Sequence, residues 1–413
     1  MAEVYDRLVA KGVLAARQGS GYYVTESRAV EYVPTVPHVQ EAIDIVSLLR
    51  EQLDQHYEVR PGDGRPPASW MEGSEIGRHF RTGSKKAQTI EFGYGSSWGH
   101  GPLRDWLRMS LRERSIETEP DGILLTHGIN HSLDLVIRHL LEPGDTVFVD
   151  NPGYYPLFGK LKLANVNIVP VNRNADGPDI DDLTIKLSAH MPKVFFTQSQ
   201  AHNPTGGSLS PAVAFGLLQL SERWGFYIVE DDVFADMVSP SLPRLAAFGP
   251  RERVLYAGSF SKTLSASLRS GYIAGHPPII RHLANIKMLT TVATSAYVEQ
   301  LILELILSGQ YLKHLRRLRT RMEDATRACL ASFANIGIEV DAPKVPGFYL
   351  WVNLTSVLDE ALFCRDAAEK SIFIAPAQVF NADRAKAMPA GMRVNVAYGA
   401  DERFLSFLRQ QLS

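Results

Sequence analysis

Cysteine is almost absent: the 413 residues hold two, Cys329 and Cys364. Their spacing suits no metal site, and two thiols exclude a multi-disulfide scaffold, so a reduced compartment fits best. An excess of either charge is lacking as well. With 43 Lys and Arg against 45 Asp and Glu, the formal charge is −2. That excludes a whole-chain electrostatic attraction to nucleic acid, although a small basic module fits inside a neutral average. No apolar run is long enough to span a bilayer. The opening residues Met1 to Arg7 lack the apolar centre of a signal peptide, and there is no internal repeat or low-complexity tract. The expectation is a globular cytoplasmic protein without a membrane partner. Hydrophobic residues, by contrast, make up 45% of the chain, enough for a large core shared by two or three domains.

Residues 3–11 carry Val4, Leu8 and Val9 on one helical face, and 13–24 read as two short strands around Gly19-Ser20-Gly21. Residues 25–45 hold Pro34, Pro37 and the polar run Thr25-Glu26-Ser27 and read as a linker. From about residue 100, short apolar runs at Val147-Phe148-Val149, Val194-Phe195-Phe196, Tyr227-Ile228-Val229 and Val254-Leu255-Tyr256 alternate with helical patterns at 130–141, 211–224 and 279–307. Such alternation predicts an α/β fold, a mostly parallel sheet with helices on both faces. After the long helix the pattern changes to helix 311–334, strand 347–353, helix 356–370, strand 391–397 and helix 401–411, a smaller α+β domain. The expected domains are 1–26, a linker 27–45, a large domain 46–300 and a small domain 301–413.

Each of the four buried strands is followed by a chemically distinctive segment: Asn151-Pro152-Gly153-Tyr154, His202-Asn203-Pro204-Thr205-Gly206, Asp231, and Ser259-Phe260-Ser261-Lys262. Ligands of open α/β sheets sit beyond the carboxyl ends of strands. Singly these segments are unremarkable, since Asn-Pro and Thr-Gly favour turns and most lysines are solvated. Jointly, with Arg269 seven residues after Lys262, they supply an amine for an aldehyde, a carboxylate for a pyridinium, a donor for a phenolic oxygen and ligands for a phosphate. Those are the requirements of pyridoxal 5'-phosphate (PLP). No metal ligand set is expected.

Asn203 stands 28 residues before Asp231, and Asp231 stands 31 before Lys262. In these motifs and spacings the segment from about 90 to 413 resembles the fold-type-I PLP enzymes, specifically the class I/II aminotransferases. The resemblance implies PLP transferase fold type I, with catalytic positions at Lys262, Asp231 and Tyr154. Lys262 would be the Schiff-base lysine and general base; Asp231 would hold the pyridine nitrogen protonated; Asn203 would donate to the phenolic oxygen. Tyr154 would stack on the ring, its alternative being strand-end packing. Gly128, Ile129 and Asn130, at a strand-to-helix junction, would turn backbone N–H groups toward the phosphate, with Ser259, Ser261 and Arg269 completing the cradle. Tyr94 matches a tyrosine that related enzymes extend to the partner's phosphate, which implies a homodimer with shared sites. Arg393, with Asn203, would receive the substrate; its guanidinium suits the α-carboxylate, the alternative being a salt bridge within the small domain.

Three positions depart from the pattern. Phe234 replaces a tyrosine that bonds the phenolic oxygen, Ile129 replaces a small hydroxyl residue, and Pro346 precedes Gly347 where a Gly-Gly pair is common. Together they put the transfer of catalytic rate in doubt. Tyr94, Trp98 and Phe348 are candidate linings of a side-chain pocket or plain packing, and no second arginine argues for a dicarboxylate.

The order from Glu3 to Val24 is similar to the end of a GntR-type winged helix, the tail of a recognition helix and its wing, as in the MocR subgroup of transcriptional regulators, whose other half is aminotransferase-like. A plain helix and hairpin is the alternative. Base contacts come from the N-terminal end of a recognition helix, and the sequence opens after that end, so specific DNA binding is not expected. Two readings share these residues. One is an aminotransferase passing an amino group from an L-amino acid to a 2-oxo acid. The other is a PLP-binding sensor domain of a GntR/MocR-type regulator with little turnover.

Overall fold

The computed structural model describes residues 2–10, 14–17, 19, 21–24, 46–74, 76, 77 and 93–412. The linker expected over 27–45 lies outside them. The chain divides into two compact units, Met1–Gln40 and Glu41–Ser413. In the first, the helix Ala2–Ala10 precedes a hairpin of β1 (Leu14–Arg17) and β2 (Gly21–Val24), whose register runs from Leu14↔Val24 to Arg17↔Gly21. Tyr5 of the helix stacks on Tyr22 of the hairpin with ring centroids 4.8 Å apart, which ties the two elements together.

The second unit is built on an eight-stranded sheet. Its strands are β3 (Ile123–Thr126), β4 (Thr146–Asn151), β5 (Asn167–Asn174), β6 (Gly177–Pro178), β7 (Pro192–Gln198), β8 (Tyr227–Asp231), β9 (Val254–Ser259) and β10 (Gly271–Ala274), in the order β3-β10-β9-β8-β7-β4-β5-β6. The run β9-β8-β7-β4-β5 is parallel, while β10 is antiparallel to both its neighbours. Alternate residues point to opposite faces, and both faces are covered. Val147, Val149, Val194, Phe196, Val229 and Leu255 pack with helices Ile129–Leu140, Tyr155–Leu163 and Pro277–Thr291. Phe148, Phe195, Ile228 and Val254 pack on the other side with Ile180–Ala189 and Pro211–Trp224. Double coverage explains the unbroken apolar runs.

Local chemistry sets the element ends. The helix Pro211–Trp224 starts on Ser210, whose Oγ accepts from Val213 N at 3.3 Å, and stops at left-handed Gly225. The single helix expected over 279–307 is instead two, Pro277–Thr291 and Ala296–Leu307. Between them Val292 adopts φ 61° and Ser295 caps the new start, a break that apolar periodicity does not reveal. A three-stranded antiparallel sheet follows, β11 (Tyr349–Asn353), β12 (Ala375–Pro376) and β13 (Gly391–Asn395), with β13 central. It shares a core with the helices Gln310–Asn335 and Glu402–Leu412. No helix among the described residues is long and apolar enough to cross a membrane.

Residues 59–65 form a strap across this smaller sheet. Gly62 N donates to Phe373 O at 2.8 Å, and Asn395 N donates to Pro61 O at 2.7 Å. Asn395 Nδ2 donates to the carbonyls of Asp63 (3.0 Å) and Arg65 (2.7 Å). A Cβ on Gly62 would fall 2.5 Å from Ala375 N, so the close approach requires glycine.

Candidate active site

Four parallel strands end side by side at Asn151, Gln198, Asp231 and Ser259. Beyond those ends lies a cavity of about 570 Å³, within the size range of cofactor sites. Of the residues expected at a site, Ile129, Asn130, Tyr154, Asn203, Asp231, Ser259, Ser261, Lys262 and Arg269 all line it.

At its floor, Asp231 is buried at the end of β8. Its Oδ2 accepts from Gln198 Nε2 at 2.9 Å and its Oδ1 from Val233 N at 3.2 Å. Burial pushes this carboxyl up to about 7, and the two donors oppose the shift. Asn203, reached through a cis Asn203-Pro204 bond, donates its N–H to Gln198 Oε1 at 2.8 Å and accepts from Arg393 Nη1 at 2.8 Å. Asn203 lines the cavity. Arg393, on central β13, also donates Nη2 to Gly62 O at 2.6 Å and lies between the rings of Tyr349 (4.9 Å) and Phe380 (5.0 Å).

Lys262 follows β9. Its Nζ donates to Gly64 O of the strap, which also accepts from the Tyr349 hydroxyl at 2.9 Å. Burial, and next the positive charge of Arg393, bring the ammonium down to about 8. Tyr154 caps the helix Tyr155–Leu163 at the cavity wall, its phenol held neutral by burial.

An anion cradle stands at one end. Gly128, at φ 77° and ψ 174°, precedes the helix Ile129–Leu140, whose first N–H groups have no intrahelical acceptor. A Cβ built on Gly128 would lie 3.2 Å from Arg269 Nη2 and 3.6 Å from Ser261 Oγ, so glycine leaves the space between them open. Ser259 Oγ, 3.0 Å from Ser261 Oγ, accepts from Ser261 N at 3.1 Å. Asn130 Oδ1 is buried with no hydrogen-bond partner among the described residues. Amine, carboxylate, amide and anion cradle around one cavity fit the parts of PLP.

Tyr94, expected at a partner's phosphate, is 88% exposed and does not line this chain's own cavity. Trp98 stacks under Arg104 (5.2 Å) and Phe348 is buried against Phe234 and Trp70. Neither lines this cavity. Phe234 does line the cavity, its ring held edge-on to Tyr349 at 5.8 Å. The reading from sequence missed Gln198, Arg65, Leu49 and Leu53, all on the wall. Gln198 carried a usable signal, closing a strand five residues before Asn203. Arg65 came with none, because the strap is held by residues distant in sequence, Lys262, Tyr349 and β13, and its Nε lies 3.4 Å from Asp63 Oδ1.

Known proteins share this architecture. Over 392 residues the chain is 24% identical to the uncharacterized HTH-type transcriptional regulator YisV of Bacillus subtilis, covering 92% of this chain and 81% of that protein. It is 28% identical to aromatic-amino-acid aminotransferase 1 of Thermococcus litoralis, covering 77% and 78%. Among solved structures, LysN, the alpha-aminoadipate aminotransferase of Thermus thermophilus, superimposes with a TM-score of 0.80 at 24% identity, over 90% of this chain and 96% of that one. Residues 80–409 match the family described as aminotransferase class I and II. The chain belongs to that family, whose cofactor is PLP.

Proposed function

We propose that this chain binds PLP at Lys262 and moves an amino group from an L-amino acid to a 2-oxo acid. The observation that carries the reading is the convergence on one cavity of Lys262, Asp231, Asn203 and the Gly128–Arg269 cradle. When bound, PLP supplies an aldehyde that condenses with amines and a ring that withdraws electrons from the carbon bearing the substrate nitrogen.

The residues supply the rest. Asp231, with both oxygens accepting from protein donors, would accept a hydrogen bond from the ring nitrogen and keep that nitrogen protonated. Asn203 has its oxygen committed to Arg393, so its Nδ2 is the group available to donate to the ring oxygen. The N–H groups of Ile129 and Asn130, the hydroxyls of Ser259 and Ser261, and Arg269 hold the phosphate. Tyr154 covers a ring face. Arg393 keeps a second hydrogen on each terminal nitrogen for the α-carboxylate. Lys262, lowered to about 8, presents a usable fraction of neutral amine at pH 7 and moves the proton between substrate carbon and cofactor. Tyr94, exposed on this chain, is proposed to reach the phosphate of a second copy in a homodimer.

A second reading is an effector sensor without turnover. It is favoured by the similarity to YisV and by the helix and hairpin of residues 2–24. One experiment separates the two: absorbance of the purified protein before and after adding pooled L-amino acids, beside Lys262→Ala. A Lys262-dependent visible band that bleaches with release of 2-oxo acid supports transamination. A band that shifts without product favours the sensor. Absence of any lysine-dependent band overturns both.

A further inference from the structure

Gln198 is the last residue of β7 and is buried. All four of its polar groups are engaged. Its N–H donates to Asp150 Oδ2 at 3.2 Å and its carbonyl accepts from Arg173 Nη2 at 2.7 Å. Asp150 and Arg173 are themselves a buried ion pair at 2.8 Å, so the Gln198 backbone is anchored from two sides. The direction of the side-chain amide is then dictated. The N–H of Asn203 meets it at 2.8 Å, and a donor there requires the oxygen of the amide. The NH₂ therefore faces Asp231 Oδ2 at 2.9 Å and requires an acceptor. Val233 N–H makes the same demand on Oδ1.

We infer that Gln198 is the positioning residue of the ring-binding floor: its side-chain NH₂ holds Asp231 Oδ2, as Val233 N–H holds Oδ1, and so aims the carboxylate at the ring nitrogen. The inference rests on the PLP reading above. Its distinctive consequence is that Gln198 acts on the cofactor through the ring nitrogen, by way of Asp231, and not through general packing of the cavity.

The test compares apoprotein affinity for PLP with that for 1-deazapyridoxal 5'-phosphate, which carries carbon in place of the ring nitrogen, by absorbance and fluorescence titration. Gln198→Leu removes both side-chain bonds at similar volume. Gln198→Glu keeps an acceptor for Asn203 but sets oxygen against oxygen at Asp231, and its close shape guards against misfolding. Losing one hydrogen bond to a charged group predicts a fall in PLP affinity of roughly 10- to 100-fold for either variant. The deaza analogue should change by less than about threefold. In the Asp231→Asn background, Gln198→Leu should add almost nothing for PLP. Equal losses for both cofactors, or no loss for PLP, overturn the inference while leaving the proposed function standing. A wild-type protein with no Lys262-dependent band overturns the function, and the inference with it.

Discussion

Gly128→Ala separates the phosphate cradle from the rest of the site. Gly128 sits at φ 77° and ψ 174°, a region essentially reserved for glycine, where another residue costs about 1–3 kcal/mol. That term acts on folding and lowers Tm by a few degrees. A second term acts on binding. The new methyl would sit 3.2 Å from Arg269 Nη2 and 3.6 Å from Ser261 Oγ, inside the space an anion must enter. Losing one charge-assisted contact is worth about 1.5–3 kcal/mol, which is roughly 10- to 100-fold in affinity. The assay is titration of the apoprotein with PLP and with pyridoxal, which lacks the phosphate, beside a thermal melt. PLP affinity should fall by that factor, while pyridoxal affinity changes by less than about threefold. If Gly128→Ala binds PLP like wild type, or loses both compounds equally, the cradle has been placed wrongly.

The Lys262 amine reacts only when neutral, and burial with Arg393 nearby lowers it to about 8. The rate of apoprotein reconstitution with PLP should rise with pH and level off just above that value. A rate still climbing near 10 would mean an unperturbed lysine. Arg393→Lys keeps the charge but loses the planar fork. It should weaken amino-acid binding, read from the cofactor spectrum, by roughly 10- to 100-fold, with little change in cofactor affinity. Unchanged amino-acid binding would place the α-carboxylate elsewhere. Arg244 and Asp232 are both fully buried and paired at 2.6 Å, so Arg244→Met leaves a carboxylate whose remaining side-chain donor is Tyr256 at 2.9 Å. That should cost about 3–5 kcal/mol and lower Tm by several degrees, and adding Asp232→Asn should recover part of the loss. A melt within a degree of wild type would refute it.

The site was legible where chemistry follows a strand end. Asn203, Asp231, Ser259 and Lys262 come just after or at the close of β7, β8 and β9, so apolar runs and spacing located them together. The parallel centre of the sheet was legible for the same reason. The antiparallel β10 was not, because Gly271–Ala274 is four residues long and carries no alternation to betray its direction. The break at Val292 was hidden in an apolar stretch that reads as helix throughout. Arg65 was invisible because its neighbourhood is made by β13, more than three hundred residues away.

The strap at 59–65 has a bearing on when the site comes into being. Its partners Arg393 and Asn395 stand 331 and 332 residues later than Gly62 and Asp63, and contacts that distant form late because a long loop must close first. The parallel strands can assemble a floor around Asp231 from nearer neighbours. The bond from Arg393 to Gly62, and the bonds from Asn395 that hold the segment bearing the Gly64 carbonyl, exist only after β13 has caught the strap. The cavity is thus a property of the whole folded unit, its floor and its wall being supplied from opposite ends of the sequence.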